Sequence, residues 1–236
     1  MASVPLLLSP EHPCSYLEGQ VAKALFVHPG YPLSAGLYEQ LLAQGFRRSG
    51  DEVYAPRCAT CSACIPVRIE ADRFEPDRSQ KRCLKMNANT DAVVKPAVFN
   101  QSHYDLYMRY QHGRHKNGAM AYSSPEDYIS FLGCSWCDTR FVEFSIKGEL
   151  ACIAVVDHFD DSLSAVYTFF DPKFSKYSPG VYAVLWQIRE AKRQHKRYLY
   201  LGYLIKACKK MAYKSRYQPM QIYKGRRWLD YDEMNI

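Results

Sequence analysis

The chain has 236 residues, 47% of them apolar, with 31 Lys or Arg against 24 Asp or Glu, a formal charge of +7. That is enough apolar material for one large core or two small ones and excludes a disordered tail. No apolar run approaches the roughly 20 residues that cross a bilayer, and Pro5 to Leu8 lacks the length and basic lead-in of an export signal, so a cytoplasmic protein with no membrane partner is expected. Nine cysteines, an odd count without an export signal, fit reduced thiols rather than a disulfide framework.

In chain order, Ser34 is placed to cap a helix through Leu37, Tyr38, Leu41 and Leu42, ended by Gly45. The stretch from Arg57 to Pro66 has no period and reads as a loop holding Cys58, Cys61 and Cys64 at C-x₂-C-x₂-C spacing. Thiols so spaced converge on a soft metal or cluster, or else simply fill a loop. Val67 to Phe74 alternates like a strand and carries Arg68. A basic run follows: Arg78, Ser79, Gln80, Lys81, Arg82. Its guanidinium groups, with that of Arg68, suit a carboxylate or phosphate, or ion pairs with Glu70, Asp72 and Asp77.

A helix is expected from Ser102, with Asp105 completing a capping box, to about Gly113, and another from Ser124 with Pro125 and Asp127 to near Gly133. The period then changes to two. Arg140 to Ile146, Leu150 to Val156 and Leu163 to Phe170 predict an antiparallel meander, with turns at Lys147 to Glu149 and Asp160 to Ser162. Ser178, Pro179 and Gly180 open a helix with Val181, Val184, Leu185, Ile188 and Ala191 on one face, and Tyr198 to Tyr203 reads as a strand. The expected fold is α+β. Residues 1–90 would form an N-terminal, cysteine-containing subdomain, and residues 91–236 a mixed sheet with flanking helices.

Charge gathers near the C-terminus. From Arg189 to Arg227 there are thirteen Lys or Arg against one acid, Glu190, a balance of +12. Six tyrosines interleave between Tyr198 and Tyr223. Cations and rings suit phosphates and unstacked bases, and Lys209, Lys210 and Lys214 are candidates to meet RNA; the alternative is a solvated basic face over core tyrosines.

The order helix, helix, three-strand meander, helix, strand, helix resembles acyl-transfer folds related to the N-acetyltransferases. Those enzymes hold a pyrophosphate in a Gly-rich turn before the helix after the meander. Here Lys176 to Tyr182 does not match that turn, so acyl-coenzyme A is disfavoured as donor.

The chain also resembles, over nearly its whole length, the aminoacyl-tRNA-protein transferases, most closely their bacterial, leucine-transferring branch. The marks are Pro13 to Leu17, Gly45 to Gly50, Cys58 to Arg68, Phe74 to Arg82, Arg114 and His115, Tyr167 to Pro172, Tyr200 to Tyr203, and Met211 to Lys214. The resemblance implies transfer of leucine from leucyl-tRNA to proteins beginning with Asp or Glu, which creates an N-degron for proteolysis. Arginyl-tRNA as donor and a non-catalytic RNA-binding module with structural zinc are the alternatives. By the same resemblance Arg68, Arg78 and Arg82 would bind the acceptor, His115 would relay a proton or touch RNA, and Tyr167, Asp171, Tyr203 and Lys214 would line the catalytic cleft. Asp171 would orient or deprotonate the amine, or else, before Pro172, serve as a turn former. No cofactor is needed for this chemistry. Eukaryotic relatives nonetheless have two cysteine pairs for an iron–sulfur cluster. Cys14 and Cys61 fall with those pairs, Leu17 replaces one of their cysteines, and Cys58 and Cys64 would complete four ligands to a cluster or to zinc.

Overall fold

The computed structural model describes residues 3–114 and 118–232. The first part builds short strands β1 (Leu6–Leu8), β2 (His12–Pro13), β3 (Val21–Ala22) and β4 (Ala24–Val27), helix α1 (Ala35–Leu42), then β5 (Arg47–Ser49), β6 (Glu52–Pro56) and β7 (Ile65–Glu70). Next come α2 (Arg78–Met86), β8 (Thr90–Pro96), α3 (Gln101–Arg114), α4 (Pro125–Leu132) and the strands β9 (Asp138–Ile146), β10 (Glu149–His158) and β11 (Ser162–Phe170). Helix α5 (Pro179–Arg193), β12 (Tyr198–Leu204), α6 (Lys209–Ala212), β13 (Gln221–Lys224) and β14 (Arg227–Asp230) complete the described chain.

The result is an α+β fold around an eight-stranded mixed sheet in the order β14-β13-β7-β12-β11-β10-β9-β8, beside a four-stranded sheet β1-β4-β6-β5. Strand β7 pairs antiparallel with β12 and with β13, so the large sheet draws strands from both sides of residue 90. The meander forms as expected, with β10 antiparallel to both β9 and β11. Among the described strands only β11 and β12 pair in parallel, and α5 supplies the long crossover that a parallel pair requires.

Both faces of the sheet are covered. Cys152, Ala154 and Val156 of β10 pack in one cluster with Ala183, Leu185 and Ile188 of α5. Ile153 and Val155 point the other way, into a cluster with Leu106 and Tyr107 of α3 and Tyr128 and Leu132 of α4. A strand buried on two sides reads as an unbroken apolar run, which is how residues 151–156 look in the sequence.

Local signals account for most helix ends. Ser34 caps α1 through Leu37 N, and Ser124 with Asp127 forms a complete capping box on α4. The start of α3 differs from expectation. Asn100, not Ser102, accepts from the backbone of Ser102 and His103, because its side chain reaches the first free N–H groups from one residue outside the helix. Asp105 instead accepts from the Gln101 side chain at 2.8 Å. The strand expected to reach Phe74 stops at Glu70, where Ala71 N turns to bond Arg197 O. The basic run from Arg78 is itself helix α2, opened by a capping box between Asp77 and Gln80.

One buried ion pair joins these parts. Arg48 on β5 donates through Nε at 2.8 Å and Nη2 at 2.7 Å to the carboxylate of Asp157 on β10, and both side chains are fully out of water. Its remaining protons go to the carbonyls of Gly50, Leu132 and Gly133 and to Thr139 Oγ1. The pair holds Arg48 charged well beyond its usual range, against the opposing cost of burial. Beside it, Gly50 sits at φ +58°, where a Cβ would lie 2.2 Å from Ser130 O, so only glycine lets the β5–β6 turn approach α4 this closely.

Asp157→Asn keeps the shape but leaves Arg48 buried and uncompensated. It is expected to lower unfolding stability in urea by ~3–5 kcal/mol, while the double variant Arg48→Met, Asp157→Leu loses less. Equal losses in the two would show that packing, not charge, is what the site supplies.

Candidate active site

The two parallel strands separate soon after they meet. Pairing between β11 and β12 covers Ser162, Leu163 and Ser164 against Tyr198, Leu199 and Tyr200 and goes no further. Beyond it β11 stays with β10 up to Phe170, while β12 stays with β7 up to Leu204 after a register shift between Tyr200 and Gly202. Gly202 takes φ +81° at that shift, a conformation that suits glycine. The sheet therefore opens into a split between residues 165–170 and 202–204.

Arg47 enters this split from β5. Its Nη2 donates to Ala165 O, the first β11 carbonyl past the paired region. The Cβ position of Gly202 lies 3.5 Å from Arg47 Nε, ordinary contact distance, so the guanidinium packs directly against this turn of β12. Arg47 is 9% exposed, and its Nη1 is out of water with no hydrogen-bond partner.

Lys214 approaches from the 3₁₀ turn Tyr213–Arg216. It is 5% exposed, and its Nζ donates to Tyr203 O at 2.8 Å. Burial, and after it the charge of Arg47, pushes its pKa down to about 7. Lys214 thus differs from Lys209 and Lys210, which are exposed on α6 as an RNA-facing role would require.

The other expected catalytic residues are held by the protein. Asp171 caps the 3₁₀ turn Pro172–Tyr177, accepting from Lys173 N at 3.0 Å on one oxygen and from Arg109 Nε at 2.9 Å on the other. Tyr167 on β11 accepts from Gln111 Nε2 at 3.0 Å, and Tyr203 donates to Gly45 O at 3.0 Å. Burial raises the pKa of both phenols far above the ordinary range, so neither is a base near neutrality.

The three arginines part company. Arg68 is buried, its guanidinium 3.6 Å from the Tyr198 ring centroid and 4.3 Å from that of Trp228, with Nε donating to Gln221 at 2.8 Å. Arg78 and Arg82 are exposed on α2 with Lys81 and Lys85. None of the three is paired with Glu70, Asp72 or Asp77 among the described residues; Glu70 pairs with Arg73 instead. The start of α2 touches the C-terminal basic segment through Gln80 Nε2 and Arg216 O at 3.0 Å. His115 lies outside the described residues.

The cysteines do gather. Pairing of Ala24 with Pro56 brings the N-terminal hairpin to the cysteine loop, and Cys14, Cys58, Cys61 and Cys64 line one small cavity of about 40 Å³ with Tyr16, Leu17 and Ile205. Burial, and then the nearness of Cys14, Cys58, Cys61 and Cys208, pushes the Cys64 thiol up to about 12. Among the described residues no three His, Cys, Asp or Glu stand close enough to form a ligand set.

Arg47 is the functional candidate that sequence reasoning misses. It lies within the Gly45 to Gly50 stretch, but two adjacent arginines give no sign that one will be paired and the other not.

Both halves of the chain carry transferase sequence. Residues 12–82 match the family described as arginine-tRNA-protein transferase, N terminus, and residues 102–224 match its C terminus. The chain belongs to the arginine-tRNA-protein transferase family. Among curated relatives it is similar to the aspartate/glutamate leucyltransferase of Alcanivorax borkumensis, at 46% identity over 100% of this chain and 97% of the relative. It is similar also to the enzymes of that name from Marinobacter nauticus, at 47% identity over 93% of each chain, and Teredinibacter turnerae, at 45% over 100% of this chain and 98% of the relative. Among solved structures, the crystal structure of FemX aligns with 77% of this chain and 75% of its own at 8% identity and a TM-score of 0.45, a remote likeness. No helix among the described residues is long and apolar enough to cross a membrane.

Lys214 carries a testable pH signature. Its folded-state pKa of about 7 lies below its ordinary value of 10.5, so between those values the unfolded chain binds more protons and stability rises with pH. Lys214→Met is expected to flatten the rise in unfolding free energy between about pH 7 and 10. A wild-type slope in that variant would place the titration elsewhere.

Proposed function

We propose that this chain transfers leucine from leucyl-tRNA to the α-amine of proteins whose first residue is Asp or Glu, producing an N-degron in the cytoplasm. The observation that carries the reading is identity of 45–47% over at least 93% of this chain to relatives named aspartate/glutamate leucyltransferase. The split sheet and the missing pyrophosphate turn fit an N-acetyltransferase-like fold adapted to an acyl group carried on RNA.

The chemistry asks little of the protein in acid–base terms. The amine nitrogen attacks the ester carbonyl, an amide bond forms, and the ester bond to the terminal ribose breaks. The ammonium loses a proton and the ribose oxygen gains one. An α-amine of pKa about 7.7–8.0 is partly neutral at pH 7, and an aminoacyl ester is already activated. Holding the two in line supplies ~7–11 kcal/mol of the barrier reduction, so positioning dominates. Asp171, Tyr167 and Tyr203, on or beside the diverging strands, are proposed to set that geometry. The exposed cations of α2, including Arg78 and Arg82, and those of α6 with Arg216 are proposed as the tRNA-binding surface.

Leucine carried by tRNA is expected to pass to Asp- and Glu-initiated peptides and not to Ala-initiated ones. Arginine transferred in its place would make the chain an arginyl enzyme, and transfer of neither would leave an RNA-binding module. Lys209→Glu with Arg216→Glu is expected to weaken charged-tRNA binding and to reduce its dependence on salt. Unchanged affinity would remove that face from the proposal.

The cysteine cavity is proposed to hold a metal ion or an iron–sulfur cluster through Cys14, Cys58, Cys61 and Cys64. Four soft donors line one cavity, and since no three of the described residues stand close enough to form a ligand set, binding would have to draw the thiols together and release their protons. Bound metal would tie the N-terminal hairpin to the loop without entering the transfer reaction. Protein prepared without oxygen is expected to contain stoichiometric iron and sulfide, or zinc, and Cys61→Ser to lose it and melt earlier. Metal-free protein, with Cys61→Ser as stable as the parent, would reduce these cysteines to packing.

A further inference from the structure

A guanidinium is charged throughout the physiological pH range, and removing it from water is costly unless an anion and a full set of hydrogen bonds replace the hydration. Arg48 is the compensated case, with a buried carboxylate and acceptors for its protons. Arg47, one residue earlier on the same strand, is not compensated. It is nine-tenths buried, it is bonded to one backbone carbonyl, and its Nη1 is enclosed without a partner. No acid is paired with it among the described residues. Lys214 is buried nearby, bonded to Tyr203 O and in contact with Met211 Sδ at 3.4 Å, again without an acid among the described residues. Two basic groups thus lie against the adjacent residues Gly202 and Tyr203 where the sheet opens, and no acid among the described residues is paired with either.

We propose that Arg47 Nη1, with Lys214, receives the side-chain carboxylate of the acceptor's first residue and so restricts the acceptor to Asp and Glu. This rests on the leucyl-transfer reading and assigns its specificity. The position favours a carboxylate at a chain end over an RNA phosphate. A phosphodiester brings a ribose on each side and suits exposed cations, such as those on α2 and α6. A first residue can insert its short side chain while its amine remains a few bonds away, beside the diverging strands. Arg68, the third buried arginine, is already engaged, with its guanidinium against the rings of Tyr198 and Trp228 and its Nε donating to Gln221. Asn and Gln have nearly the shape of Asp and Glu but bring no charge, so they would leave Arg47 as uncompensated as before.

The test compares kcat/KM for leucine transfer to peptides that begin with Asp, Glu, Asn or Gln. Arg47→Gln is expected to slow transfer to Asp and Glu peptides by roughly 10- to 100-fold and to slow transfer to Asn and Gln peptides far less, so that discrimination collapses. Arg47→Lys should retain part of it. Leucyl-tRNA affinity should not move. Equal loss on all four peptides, or weakened tRNA binding, overturns the assignment in favour of a structural or RNA-holding role. If Arg47→Gln does not fold, Lys214→Met reads the same site: its Asp-over-Asn ratio should fall, and a wild-type ratio overturns the proposal. Anisotropy of a fluorescent Asp-initiated peptide, against its Asn isostere and without tRNA, separates the two levels. Charge-selective binding that weakens in Arg47→Lys, without leucine transfer, keeps the site and sinks the transfer reading. Transfer with an unaltered Asp-over-Asn ratio in the variants sinks the site and keeps the reading.

Discussion

The carboxylate of Asp157 receives Arg48 in a place where no water reaches, and three parts of the molecule meet on that one guanidinium. Strand β5 supplies the arginine, β10 the acid, and the end of α4 the carbonyls of Leu132 and Gly133. A buried ion pair is weak support for stability in general, because desolvation offsets most of its attraction. Its value here is positional. Arg48 cannot shift without stranding several donors at once, so β5 is fixed against the large sheet, and what β5 presents on its other side is fixed with it.

What it presents is Arg47. Alternation along a strand sends neighbouring side chains to opposite faces, so clamping Arg48 aims Arg47 at the point where β11 and β12 part. The parting and the arginine are mutually dependent. Ala165 O has no partner on β12 once the strands separate, and Arg47 supplies the missing donor. Gly202 takes the positive φ that goes with the register shift on β12. The opening is therefore held by hydrogen bonding and by one backbone conformation.

The meander, α5 and β12 were legible because each has a clean period and punctuation around it: Lys147 to Glu149, Asp160 to Ser162, and Ser178 with Pro179. Helix α4 was legible from Ser124, Pro125 and Asp127 at its start and Gly133 at its end. Helix α2 was obscured because Arg78, Lys81, Arg82 and Lys85 draw attention as charges, while the signal that opens the helix, Asp77 with Gln80, lies among them. The N-terminal strands are two to five residues long, too short for a period to show. The cysteine spacing announced a shared site, but the arrival of Cys14 depends on β4 pairing with β6, a contact across some thirty residues. Least legible was the split itself. It arises from a register shift on one strand, of which Gly202 inside the strand is the single local sign, and from a side chain on another, which nothing local to Ala165 records.

Arg47 and Arg48 show why residue type alone does not assign a role. They are the same residue on adjacent positions of one strand, both buried, and they differ only in what the fold places opposite them. Where the fold supplies an acid, the charge is consumed in holding the structure. Where it supplies a single carbonyl, the charge stays available to whatever enters. The cost of leaving Arg47 unbalanced falls on the folded state. It is tolerable because the strand that carries it is held by its compensated neighbour, so the residual attraction is directed outward, at a ligand, instead of being relaxed by movement of the strand.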